Sequence, residues 1–225
     1  MSGVRHSELD QPRLLAGIDL SGPANHRDTA FAWFLCDEHG LTYKDVFTDV
    51  SDEGVVAHVG RMAKRATVIV GIDAPLSYND GGGDRPGDAS LRSRLKANGL
   101  PTQMVMAPTA TRMAYLTLRG VGLSRALMLL SGQLEVVEVH PGASLALRGA
   151  PAEALEVYKS DDVASCRQLG TWLRDQGLHD LPVLEGPSHI VDACASALAA
   201  WHWKAGEPVW LHRAEPPGHP FDFAC

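Results

Sequence analysis

Two apolar runs in this chain end the same way. LLAGID, residues 14–19, and VIVGID, residues 68–73, each run through aliphatic positions without a polar interruption and stop at an aspartate. A strand that is apolar at consecutive positions is buried on both faces, which points to a sheet covered by helices on both sides. Its terminal carboxylate then stands at the rim of the core, at the strand ends where open α/β sheets do their chemistry.

The rest of the chain reads around these two strands. Residues 13–20, 29–36 (TAFAWFLC) and 41–48 (LTYKDVFT) are three strands joined by the short turns SGPANHRD and DEHG, which makes them an antiparallel meander. Val55, Val56, Val59, Met62 and Ala63 have helical spacing, with Ser51 as the cap, so a helix leads into strand four, VIVGID. A Gly/Pro-rich loop, NDGGGDRPGD, and a helical region ending near Leu130 come next; LEVVEVHP, residues 134–141, is strand five, stopped by proline. DDVASCRQLGTWLRDQG and SHIVDACASALAAWHWKAG are helical patterns closed by glycine, and PVWLHR is a short strand for an edge. The expected fold class is α/β: a mixed five-stranded sheet, three antiparallel strands then two parallel, flanked by helices, with a basic loop and helical insertion over about residues 77–130 after strand four. A length of 225 residues favours one domain over 1–225. The two GID endings read as local echoes, since the segments after them differ.

Hydrophobic residues make up 45% of the chain and charged residues 21%, ordinary for a soluble protein, and no apolar run approaches the roughly 18 residues of a membrane span. The start, MSGVRHSELDQPR, lacks an apolar export signal, so the expected location is cytoplasmic. Cys36, Cys166, Cys194 and Cys225 are scattered, without CxxC or zinc spacing, and read as reduced thiols. A net charge of −7 counts against tight binding to any nucleic acid through phosphate neutralisation alone. Yet Arg85, Arg92, Arg94, Lys96, Arg112, Arg119 and Arg125 face only Asp88 within their stretch of sequence. A charge run is most simply a solvated face, but this one allows an anionic substrate to be held on one side.

If strands one and four are neighbours, Asp19 and Asp73 project from adjacent ends, and Glu138 of strand five approaches the same rim. In the last helix the apolar positions Ile190, Ala193, Ala197, Leu198 and Trp201 leave His189, Asp192 and Ser196 on a separate stripe. Burying a lone aspartate costs on the order of several kcal/mol unless it is paired or coordinates a metal. Carboxylates held together need protons or cations between them, and hard oxygen ligands suit Mg²⁺ or Mn²⁺. Each residue also has a simpler reading. Asp19 and Asp73 can be turn residues, and Asp192 can pair with Arg112 or Arg119. His140, one strand period beyond Glu138, can be a ligand, a proton shuttle or, most simply, a core histidine. His189 can be an outer contact or a cap, and Asp161 and Asp162 can complement a helix dipole. The glycine-rich loop matches neither GxGxxG nor GxxxxGK[ST] and is at best a lid. With no GxSxG after a strand, Ser/His/Asp catalysis is set aside.

GIDLSG, GIDAPLS, the RG of LTLRG, VVEVHPGASL, HIVDACASALAAW and the closing HPFDFAC resemble, in that order, domain-of-unknown-function family 429, whose members are predicted RNase H-like nucleases. The resemblance covers nearly the whole chain, and the element order is similar to that of the RNase H fold. It implies Asp19 as an acid bridging two metal ions, with Asp73, Glu138 and Asp192 completing the shell and Mg²⁺ or Mn²⁺ as cofactor. The implied reaction is two-metal-ion hydrolysis of a phosphodiester, in which the carboxylates only hold the ions. Arg85, Arg92, Arg112 and Arg119 would position phosphates, with His140 and His189 beside the substrate. The usual helical glutamate of RNase H enzymes has no clear equivalent, Glu53 being nearest; Glu138 on a strand and His189 with Asp192 are closer to the resolvase-like branch. The expected partner is nucleic acid or another phosphodiester, with no membrane. Two alternatives stand beside this reading. One is a nucleotide-binding or small-molecule phosphotransferase, as in the sugar kinase and actin branch, in which a homodimer would supply the second half of the cleft. The other is a non-catalytic binding module that keeps its acids for structure.

Overall fold

The structure is a computed structural model that describes residues 13–130 and 132–225; most of the N-terminal stretch bearing on export lies outside the described residues. The chain begins with the meander β1 (Arg13–Asp19), β2 (Ala30–Cys36) and β3 (Leu41–Thr48), then α1 (Asp52–Ala63) and β4 (Thr67–Asp73). The insertion contributes α2 (Pro86–Ala97) and α3 (Met113–Met128) before β5 (Leu134–Val139). There follow α4 (Pro141–Leu147), α5 (Ala152–Val157), α6 (Val163–Asp175), β6 (Leu178–His179), α7 (Ser188–Ala205), β7 (Leu211–His212) and β8 (Phe223–Ala224).

These strands form one sheet in the order β6-β3-β2-β1-β4-β5-β8-β7. Its centre is the expected mixed α/β arrangement: β1, β2 and β3 pair antiparallel, and β4 and β5 continue from β1 in parallel. The sheet has eight strands rather than five, because β6, β7 and β8 add two residues each at its flanks, too few to leave a periodic pattern. PVWLHR does reach the edge, as β7. Strand β5 stops two residues before Pro141, since His140 already caps α4, its Nδ1 accepting the Ala143 N–H at 3.3 Å. Ser51 caps α1 as its sequence position suggests, Oγ accepting from Gly54 N at 3.2 Å.

Strands β1 and β4 are buried on both faces, and a separate core lies on each side of the sheet. One side is covered by α4, α5, α6 and α7, the other by α1 and α3. A third, smaller core joins Leu91 and Leu95 of α2 and Val105 to Trp210, Phe223 and Cys225 near the chain's end. Helix α7 crosses β1 and β4 at their glycines, which are register partners. A Cβ on Gly17 would stand 2.0 Å from the Ala193 carbonyl oxygen, and one on Gly71 would stand 2.6 Å from that of Ser196. The two GID endings are therefore one packing feature: glycine lets the helix backbone lie against both strands just before their terminal acids. Among the described residues no helix is long and apolar enough to cross a membrane, and all four cysteines are free.

Candidate active site

Asp19 and Asp73 are the last residues of neighbouring parallel strands and face each other in register. Their carboxyl groups lie within hydrogen-bonding reach, and Asp73 is raised well above the usual carboxylate range, first by burial and then by the Asp19 charge. A shared proton or a cation between the two relieves that repulsion. His189, in the first turn of α7, holds the other side of Asp19 through Nδ1 at 2.8 Å from Oδ2. That hydrogen bond raises the imidazole pKa and favours its protonated form.

Asp192, one turn further along α7, is completely buried. Its two oxygens are occupied: Tyr158 Oη donates to Oδ1 at 3.0 Å and Lys159 Nζ to Oδ2 at 2.5 Å. Burial by itself would lower the Lys159 pKa, but Asp192, Tyr158, Asp19 and Asp73 hold it above the ordinary lysine value, so the ammonium stays charged amid the acids. Its stem is half-exposed while its charge is turned inward. The sequence reading puts Asp192 in the metal shell, with an ion pair to Arg112 or Arg119 as the alternative; it is ion-paired, but to this lysine. Sequence patterning marks neither Tyr158 nor Lys159; they follow α5 in a single 3-10 turn, Tyr158–Ser160, too short to show a period. The signal that could have found them is the need of a buried Asp192 for a cation.

Glu138 departs from the expected ligand shell. It is buried, its Oε1 and Oε2 accept from Arg85 at 2.5 and 2.8 Å, and Oε2 also accepts the Leu76 N–H at 2.8 Å. Burial pushes its carboxyl up while the guanidinium pulls it down, and a forked pair of this kind favours the ionised form. Arg85 also bonds Asp88 with two N–H groups, so an ion triad fixes the start of α2 to β5.

The arginines expected to grip phosphates are mostly engaged elsewhere. Arg92 bonds Asp84 and the Val105 carbonyl, and Arg119 is buried, donating to Asp52, Thr29, Ser21 and the Val50 carbonyl. Arg119 thus ties the loop after Asp19 to the start of α1. Arg112 is exposed before α3. His140 is half-buried with both ring nitrogens engaged: burial lowers its pKa, and since Nδ1 accepts from Ala143, Nε2 carries the proton and donates to the Met104 carbonyl at 3.1 Å. Asp162 caps α6 by accepting from Ser165 N, whereas Asp161 accepts the Ser188 N–H of α7, one residue before His189.

Asp73 and Lys159 also line a cavity of about 890 Å³ between the insertion, β5, α4 and α5. Most of its wall is apolar, including Leu100, Met104, Met113, Leu116 and Leu155. Among the described residues no three His, Cys, Asp or Glu side chains are grouped so as to hold a metal ion. The assembled donor set is the Asp19–Asp73 pair, hard oxygens whose mutual repulsion Lys159 and His189 offset only in part. That fits Mg²⁺, which is commonly held by one or two carboxylates and completes its shell with water and substrate oxygens.

A family model described as "Protein of unknown function (DUF429)" matches residues 17–216, a span that holds the aspartates, Lys159, His189 and the cavity wall apart from Phe223. No curated protein sequence matches the chain.

Proposed function

The chain belongs to the family described as "Protein of unknown function (DUF429)", and from that membership and the site's geometry we propose that it is a divalent-metal-dependent phosphodiester hydrolase, a nuclease-type enzyme on an RNase H-like sheet. The observation that carries this reading is the in-register pair of a buried Asp19 and a half-buried Asp73, mutually repelling and backed by an ammonium group. The strand order β3-β2-β1-β4-β5, antiparallel and then parallel, supports the likeness to RNase H.

Asp19 and Asp73 are the residues that would hold the cation, Mg²⁺ or Mn²⁺, and bound there it would supply Lewis-acid polarisation of a phosphoryl oxygen. His189 fixes the rotamer of Asp19 and offsets part of its charge. Asp192 and Tyr158 keep the Lys159 ammonium at the edge of the acidic pair, where it stabilises negative charge that grows on the phosphoryl group. We read the site as using one metal ion, with Lys159 in the position of a second cation, because Asp192 and Glu138 already have cationic partners. The substrate class is a phosphodiester, nucleic acid included, and the free thiols support a cytoplasmic setting.

The test is cleavage of labelled single-stranded, duplex and hybrid substrates and of simple phosphodiesters with Mg²⁺ or Mn²⁺. Removing one metal-holding carboxylate, Asp19→Asn, lowers kcat by about 10²-fold or more, in line with losses typical of charge-stabilising groups. Metal-independent cleavage, or a mutant as active as the wild type, refutes the reading.

A further inference from the structure

The cavity beside the acidic pair says more about the substrate, and the inference rests on the hydrolase reading above. We propose that it receives an aromatic or heteroaromatic ring attached to a single phosphodiester, so that the substrate is a small free molecule rather than the interior of a polymer. Its volume, about 890 Å³, lies within the range of small-molecule sites. Met104, Met106 and Met113 all face it, and thioethers adapt to flat rings and make favourable contacts with them.

Charge decides against a polymer. The lining carries two cations, Arg85 and Lys159, against four acids, Asp73, Asp88, Glu138 and Glu156. Arg85 is already neutralised by Glu138 and Asp88, and Arg92 and Arg119 of the insertion are bonded to acids of their own. A run of phosphates would meet net negative charge along this wall. One phosphate, held at Lys159 and at a cation between Asp19 and Asp73, would not. The wall is built from six separate stretches of chain, at residues 73–75, 85–88, 99–116, 138–146, 152–159 and 223, so it gathers around one volume rather than along a single element.

Gly142 offers a way to fill the cavity without disturbing the acids. It lines the wall within α4, and the nearest atoms to a Cβ there are side-chain atoms of His140 and Tyr158, at 3.6 Å or more. The experiment is calorimetric titration with phenyl phosphate and methyl phosphate in Mn²⁺, monoesters that a diesterase leaves intact, on wild type, Gly142→Ala and Gly142→Leu. Wild type binds phenyl phosphate about tenfold or more tighter than methyl phosphate, as burial of one ring requires. The preference shrinks in Gly142→Ala and vanishes in Gly142→Leu, while Mn²⁺ affinity is unchanged. Equal affinity for the two esters in wild type, or an undiminished preference in Gly142→Leu, overturns the proposal. In a second arm, a dinucleotide binds at least as tightly as a long single-stranded oligonucleotide; much tighter binding of the oligonucleotide also overturns it. Failure of the hydrolase reading looks different: Mn²⁺ binding that survives Asp19→Asn, with the ring preference intact.

Discussion

At the scale of single residues, the site is a set of charges that the fold holds against their own preference. Asp73 stands half-buried beside Asp19, and the Lys159 ammonium relieves only part of the repulsion between them. Asp73→Asn therefore raises the melting temperature of the metal-free protein, by several degrees if about 1 kcal/mol is recovered. The same change abolishes Mn²⁺ binding in calorimetry. Lys159→Met acts in the opposite direction, leaving a completely buried Asp192 with only Tyr158 for a partner; urea unfolding should show a loss of about 3 kcal/mol. Asp19, Asp73, Asp192 and His189 were legible in the sequence because each is a polar residue where an apolar pattern ends or changes face. Lys159 was not, since it lies in a turn without a period. The ion pairs of Arg85 and Arg119 were not legible because a charged residue's sequence does not name its partner: Arg85 finds Glu138 53 positions away, and Arg119 finds Asp52 67 positions away.

At the scale of elements, the site depends on how closely α7 can lie on the sheet. That helix carries both His189 and Asp192, and its approach to β1 is set by the absence of a side chain at Gly17. Gly17→Ala forces the Ala193 carbonyl away and should destabilise the fold by about 1–3 kcal/mol, the usual range for overpacking. It should also weaken Mn²⁺ binding, because the helix moves off with His189. Gly122→Ala in α3 is the control: its Cβ meets nothing within 4 Å, and at a helix interior the change should stabilise by about 0.5–1 kcal/mol. Thermal melts of both variants check the pair. The five long strands and α1, α6 and α7 were readable because each spans enough residues to show its period. The meaning of the two GID endings was not, because register between strands far apart in sequence is a property of the assembled sheet. Strands of two residues, β6, β7 and β8, exist through pairing alone.

At the scale of the whole molecule, acid stability is set partly on the far end of α7. His202 has its pKa lowered to about 4 from 6.5, first by burial and then by Arg148. The folded protein thus resists a proton that the unfolded chain accepts, so this contribution is intact above pH 6.5 and is lost as pH falls from 6.5 toward 4. The slope reaches at most about 1.4 kcal/mol per pH unit, and His202→Gln should flatten it in urea unfolding followed from pH 7 to pH 4. The third core has a consequence for how the protein is made. Leu91, Leu95 and Val105 leave the ribosome well before Trp210 and Phe223, the residues they pack against. During synthesis α2 therefore waits with its greasy side bare, and the cavity beside it closes only when β8 is delivered. A chaperone that shields nascent chains has its clearest target there, in the interval between the insertion and the strand that seals it.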